Sequence, residues 1–154
     1  MVENEIKVIS SNKKAFHNYE IGEKWEAGIA LKGTEVKALR DGRVNLGDGW
    51  VNITDDLEAV LMEIQIGHYA FGNYANHEER RNRKLLLNKN ELTKISKAIK
   101  QKGLSIVPTK IYFKGSFVKV EIAIGRGKKS HDKRESSKEN DAKREIARTM
   151  RGRR

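Results

Sequence analysis

The feature that most limits how this chain can fold is where its apolar residues stop. Past Gly127 the only sizeable apolar side chains are Ile146 and Met150. So little apolar surface cannot offset the conformational entropy of ordering, about 1–2 kcal/mol per residue for the backbone alone. Any core must therefore come from residues 1–127, and residues 128–154 are expected to be a basic tail, disordered when the protein is free. The tail nevertheless carries latent helicity. Ala142, Ile146 and Met150 recur at spacing four, and Glu139 and Lys143 form a favourable i,i+4 pair. It reads as a segment that becomes a helix against a partner.

Charge narrows the partner. The 154 residues hold 32 Lys or Arg against 21 Asp or Glu, a net +11. Residues 125–154 alone hold twelve against five, which is +7 and leaves +4 for the rest. Such a surplus attracts a polyanion, and RNA, DNA or an acidic membrane are the candidates. A membrane partner needs a broad apolar helix face or a lipidation signal, and neither is visible. The most apolar run, residues 59–66, is interrupted by Glu63 and Gln65, so no span is expected. "MVENEIKVISSNKK" lacks the apolar core of a signal peptide, and the cytoplasm is the expected location. The absence of cysteine excludes a disulfide framework and thiolate metal sites.

The body alternates with the period of strands. In "EKWEAGIALKG", Trp25, Ala27, Ile29 and Leu31 share one face, and Lys24, Glu26, Gly28, Ala30 and Lys32 the other. "GTEVKALRDG" predicts a short helix capped by Thr34, with Val36 and Leu39 on its apolar edge and Gly42 at its end. Residues 50–54 and 57–66 predict a hairpin around Asp55 and Asp56, with Val60, Met62, Ile64 and Ile66 on one face. "GHYAFGNYANHEERRNR" reads as a long loop, and "RKLLL" as a brief strand. Residues 90–102 predict a second helix, with Leu92, Ile95 and Ile99 on one side and Gly103 as its stop. "LSIVPTKIYFKGSFVKVEIAIG" predicts a second hairpin turning near Gly115, with Phe117, Lys119 and Glu121 opposite Val118, Val120 and Ile122. The expected fold is mainly β with inserted helices. About six strands would form a small closed antiparallel barrel, because closure removes exposed edges.

The sequence holds no recognisable catalytic constellation. "GRGKKS" lacks the longer glycine-bounded loop and the Ser or Thr after lysine that a phosphate loop requires. His17, His68, His77 and His131 have no metal-ligand spacing. No enzyme activity and no cofactor are expected. Binding features stand out instead. Glu26 is an acid on the solvent side of a strand in a basic protein, able to accept from base amino groups, or else an ordinary surface glutamate. Lys84, Leu86 and Asn88 share one face of "RKLLLN", leaving Leu86 exposed where a base could pack. Asn88 also suits the cap of the following helix, with Glu91 three residues on. The loop "NHEERRNRK" interleaves Arg80, Arg81, Arg83 and Lys84 with Asn76, His77 and Asn82, just after Tyr69, Phe71 and Tyr74. Cations of this kind track phosphates and aromatic rings stack on bases.

The segments "NKKAFHNYEI", "EAGIALKGTEVKALRDG", "NHEERRNRKLLLNKNEL", "VPTKIYFKG" and "GKKSHDKRE…AKREIAR" together resemble the small protein B family, the bacterial partners of transfer-messenger RNA (tmRNA). The resemblance spans nearly the whole chain. It departs at Glu79, where the family usually has proline, and at Asp48, Gly49 and Trp50, where the family usually reads Asp-Ser-Tyr. It implies an oligonucleotide-binding-type barrel that binds the tRNA-like part of tmRNA as a monomer and delivers it to stalled ribosomes. The RNA-contacting residues it implies include Asn12, Tyr19, Glu26, Leu86, Asn88 and Lys119, of which the face analysis also puts Glu26, Leu86, Asn88 and Lys119 on non-core sides. The tail would become helical on the ribosome and probe the decoding centre and the empty mRNA channel. Gly125 and Gly127 would supply a flexible joint, followed by Lys128 and Lys129. His131, Asp132, Lys133 and Arg134 would sit nearest the decoding nucleotides. Lys138, Lys143, Arg144, Ile146, Arg148 and Met150 would follow the channel. The alternatives are a structural ribosomal protein anchored by its tail and, more distantly, a barrel nuclease.

Overall fold

The computed structural model describes residues 5–69 and 76–128. Along them run β1 (Ile6–Ser11), α1 (Lys13–Asn18), β2 (Tyr19–Ile29), α2 (Gly33–Arg40), β3 (Val44–Asn45), β4 (Trp50–Ile53), β5 (Ala59–Met62), β6 (Gln65–Ile66), β7 (Arg83–Leu86), α3 (Lys89–Ile99), β8 (Leu104–Lys114) and β9 (Phe117–Gly127). Seven strands form one antiparallel sheet in the order β1-β8-β9-β2-β7-β5-β4, and β3 pairs with β6. The mainly-β class with inserted helices holds.

Nine strands replace the expected six. β1 and β3 are short and carry no sustained alternation, and the predicted strand 57–66 is two strands. It breaks at Glu63, whose φ of 61° is left-handed. A left-handed residue interrupts the two-residue alternation. Val60 and Met62 therefore stay half-exposed, whereas Ile64 and Ile66 are fully buried, although all four were expected on one face. The third helix, α1, is a six-residue turn of "KKAFHN" held by its cap: the Asn12 side chain accepts from the Ala15 N–H at 3.1 Å.

α2 begins one residue before the predicted cap. Lys32 is the N-cap, and its N–H donates to Glu35 Oε1 at 2.8 Å. Thr34 instead bonds His77. α3 starts at the cap residue Asn88, whose N–H donates to Glu91 Oε1 at 3.3 Å.

The ladders do not close into a barrel: β1 and β4 end the hydrogen-bonded order. Both edges nevertheless lie against β8, β1 by its ladder and β4 by packing. Bulges between Val8 and Ser10, Ile21 and Lys24, and Pro108 and Lys110 bend the long strands so that the sheet curls. At the β4–β8 seam Pro108 has no N–H to offer a ladder. Gly49 passes so near that a Cβ there would lie 2.8 Å from Pro108 Cγ and 2.6 Å from Ile64 Cγ2. Beside the seam the buried Asn12 side chain ties β8 to the loop that leads into β4, its Nδ2 donating to Leu46 O (3.1 Å) and Pro108 O (2.8 Å). Inside the curl, Trp25, Ala27 and Ile29 of β2, Leu61, Leu85, Val120 and Ile122 pack with Ile95 of α3 into one core.

Candidate nucleic-acid interface

Strand register assembles the open face. Tyr112 of β8 pairs with Lys119 of β9, Lys119 with Gly28 of β2, and Gly28 with Leu86 of β7. These four residues therefore form a row across four neighbouring strands. One row further lie Lys110, Glu121 and Glu26, and on the other side Lys114 and Phe117. Leu86 is 56% exposed and Phe117 70%. Lys84 and Asn88 flank Leu86 and are exposed as well. Gly28 leaves a gap in the middle of the row: a Cβ there would come within 3.3 Å of Leu86 Cβ and 3.7 Å of Lys119 Nζ.

Glu26 sits at the centre of this face. Its side chain is 38% exposed, and Lys114 Nζ donates to Oε1 at 3.1 Å. The Tyr112 hydroxyl donates to Oε2. That hydrogen bond, against the opposing effect of partial burial and with help from Lys114, holds the Glu26 carboxyl below its ordinary range. Burial and the neighbouring Glu26 push the Tyr112 phenol up. At neutral pH the pair is thus a carboxylate with a neutral phenol, a partly exposed acceptor.

Five other expected contact residues have side-chain groups tied up within the protein. Arg83 was expected to track phosphate but is 0% exposed. Its Nε donates to Glu35 Oε2, its Nη1 to Arg81 O (2.8 Å) and Ile64 O (3.3 Å), and its Nη2 to Glu79 O (3.0 Å). Arg81, partly buried, donates to Glu35 Oε1 at 2.5 Å and to Ala30 O at 3.3 Å. Burial would raise the Glu35 carboxyl, but the bonds from Arg81, the Lys32 N–H and Arg83 together hold it below its ordinary value. His77 is buried between Thr34 Oγ1 and Ile66 O, each 2.9 Å from a ring nitrogen. The carbonyl can only accept, so Nε2 carries the hydrogen and Nδ1 accepts from Thr34. Asn76 exchanges two 2.9 Å bonds with the backbone of Tyr69. Asn12 is the seam clip already described.

Tyr19 lies at the other end of β2. Its ring covers Gly125, where a Cβ would meet ring carbons at 3.0 Å. Gly125 is therefore not a joint but a buried β9 residue paired with Ile21 and Ser105. Lys128 is also tied to the body, its N–H donating to Asn18 O (3.0 Å) and its Nζ to Phe16 O (3.1 Å). Phe71, Tyr74 and the expected tail residues Lys129, His131, Asp132, Lys133, Arg134, Lys138, Lys143, Arg144, Ile146, Arg148 and Met150 lie outside the described residues.

Sequence reasoning missed Tyr112 and Lys114, and put Phe117 on the non-core side without giving it a role. The signal was the two-residue spacing of Lys110, Tyr112 and Lys114 in "TKIYFKG", obscured by the apolar Ile111 and Phe113 between them. Among the described residues no group of three or more His, Asp or Glu could hold a metal ion, and no helix is long and apolar enough to cross a membrane.

A curled antiparallel sheet with lysines, an ionised acceptor and exposed apolar side chains in register has the makeup of a β-sheet nucleic-acid-binding protein. Over residues 9–152 the sequence matches the family described as SmpB protein, and the chain belongs to that family. It is 54% identical over 145 residues to an SsrA-binding protein of Chlamydia muridarum (strain MoPn / Nigg), covering 94% of this chain and 95% of that one. It is 50% identical over 149 residues to an SsrA-binding protein of Microcystis aeruginosa (strain NIES-843 / IAM M-2473), covering 96% of each. A solved chain described with tmRNA-SmpB and the center of the bacterial ribosome superposes with a TM-score of 0.68 at 46% identity, covering 83% of this chain and 93% of that chain. Family membership displaces the readings as a structural ribosomal protein or a nuclease.

Proposed function

We propose that this chain is an RNA-binding adaptor of trans-translation, without catalysis of its own. It binds the tRNA-like part of tmRNA (SsrA RNA) and delivers it to stalled ribosomes in the cytoplasm. The observation that carries the reading is the row Lys119, Gly28 and Leu86 beside the ionised Glu26, spanning three strands. Lysines meet phosphates, Leu86 offers an apolar platform for an unstacked base, and a carboxylate accepts from base or ribose donors. Tyr19, Lys84 and Asn88 extend the contact area. Asn12, Asn76, His77, Arg81 and Arg83 support it by fixing the backbone around it. The curled sheet serves as an oligonucleotide-binding-type barrel, closed at the β4–β8 seam by packing and by Asn12.

Residues 1–127 would form the RNA-binding body, and residues 128–154 the ribosome-probing tail. The test truncates the chain after Lys129. The shortened protein should bind tmRNA nearly as well as the full chain in filter titrations at two salt concentrations. Any affinity lost with the tail should fade as salt rises, with a slope of roughly 0.7–0.9 per phosphate neutralised. It should nevertheless fail to support tagging of the stalled peptide in a reconstituted assay. Equal loss of binding and tagging would make the tail part of the RNA site and overturn the division.

A further inference from the structure

We propose that Tyr112 is a positioning residue of the RNA-binding face, holding the Glu26 carboxylate for donors on the RNA. The inference rests on the reading of that face given above. Tyr112 is only 4% exposed, so it offers the RNA little surface of its own. Its hydroxyl donates to Glu26 Oε2, and Lys110 Nζ lies 5.5 Å from its ring centroid. Val8 stands opposite it on β1 and Lys119 on β9. The buried ring thus sits within the sheet with its polar tip on one oxygen of Glu26, while Lys114 lies 3.1 Å from the other and 3.5 Å from the same one.

The physical consequence is preorganisation. An unrestrained surface glutamate samples several rotamers and must lose that freedom on binding. Here two donors of different kinds anchor the two oxygens before any ligand arrives. Oε1 accepts from Lys114 alone and keeps a second lone pair, Oε2 accepts from Tyr112 and, at 3.5 Å, from Lys114, and the side chain remains 38% exposed. A restrained, partly exposed carboxylate fits N–H or O–H donors of an unpaired nucleotide, such as a base amino group or a ribose hydroxyl. The phenol's hydrogen bond is the largest single influence keeping Glu26 ionised, with Lys114 acting beside it. It can do so because it is buried, where a hydrogen bond is stronger than in water.

The experiment is a double-mutant cycle of Tyr112→Phe and Glu26→Gln in the full chain, read by equilibrium binding to tmRNA. Each single change should weaken binding by about tenfold or more, the size of a lost hydrogen bond to a charged group. The double variant should be no weaker than Glu26→Gln alone, because Tyr112 acts only through that carboxylate. A merely structural role would make the two losses multiply, which overturns the proposal, as does wild-type affinity in Tyr112→Phe. Should Tyr112→Phe fail to fold, the wild-type protein decides by NMR. RNA addition should shift the Glu26 carboxyl and Tyr112 ring resonances together, and unperturbed resonances overturn the proposal. Absence of tmRNA binding by the wild type would remove the adaptor reading itself. Normal binding that Glu26→Gln leaves unchanged would remove this inference alone.

Discussion

Two carboxylates in this molecule each meet two cationic or hydroxyl donors, and their surroundings give them opposite uses. Glu35, at 0% exposure, is held by Arg81, Arg83 and the Lys32 N–H at the end of the sheet near β6 and β7. Glu26, on the open face, is held by Tyr112 and Lys114 with more than a third of its side chain exposed. Both are kept below the ordinary carboxylate range by their donors. At Glu35 the donors consume the acceptor capacity and seal it, so the group fixes loop 78–83 against α2. At Glu26 they orient it and leave the side chain partly exposed, so the group can still bind something. Local chemistry is similar, and burial separates anchor from recognition element.

The largest effect should come from breaking the sealed site. Arg83→Met leaves Glu35 buried with one guanidinium, and losing a partner of a buried pair costs about 3–5 kcal/mol. Urea unfolding should show it. The same operation at the open site, Lys114→Met, should cost less than about 1 kcal/mol of stability, because exposed pairs contribute little. Comparable losses at both sites would erase the contrast.

Binding should show the reverse ranking. Glu26→Ala removes a negative charge, so phosphate attraction alone predicts tighter binding to tmRNA. A specific contact predicts a loss of about 1–3 kcal/mol. A folded Glu26→Ala variant that binds as well as or better than wild type would reduce the open face to a phosphate track.

A smaller effect sharpens the comparison through pH. The Glu35 carboxyl titrates below its ordinary 4.5 when folded. Its contribution to stability is therefore complete above the unfolded value and is lost as pH falls through the lower folded value. Thermal melts between neutral and strongly acidic pH should fall steeply for wild type below about 4.5 and more shallowly for Glu35→Gln.

Much of the open face was legible from alternation. Glu26, Leu86 and Lys119 each stand next to core residues in a strand, and period two alone puts them outside. The supporting set was not legible. Arg83 lies in a run of cations yet shares a face with buried Leu85, and nothing in "RRNRK" says that Glu35, 48 positions earlier, will neutralise it. Asn12 and His77 look like exposed polar residues, because the carbonyls they satisfy belong to Leu46, Pro108 and Ile66. Gly125 looked like a hinge because a glycine's reason for being there, the Tyr19 ring, is invisible along the chain.

By itself the sequence determined the mainly-β class, the two hairpins, a helix predicted over residues 90–102 and found over Lys89–Ile99, the charge surplus and the segments by which the family is recognised. These depend on neighbours within a few residues, where periodicity and caps act. Only the tertiary structure decided that Tyr112, Lys119, Gly28 and Leu86 share one row, that Asn12 and not a ladder fastens the β4–β8 seam, and that Arg83 meets Glu35. Those outcomes depend on register between strands up to about 90 residues apart in sequence. Cross-strand distance and burial are set by how the sheet curls, and no local pattern encodes the curl.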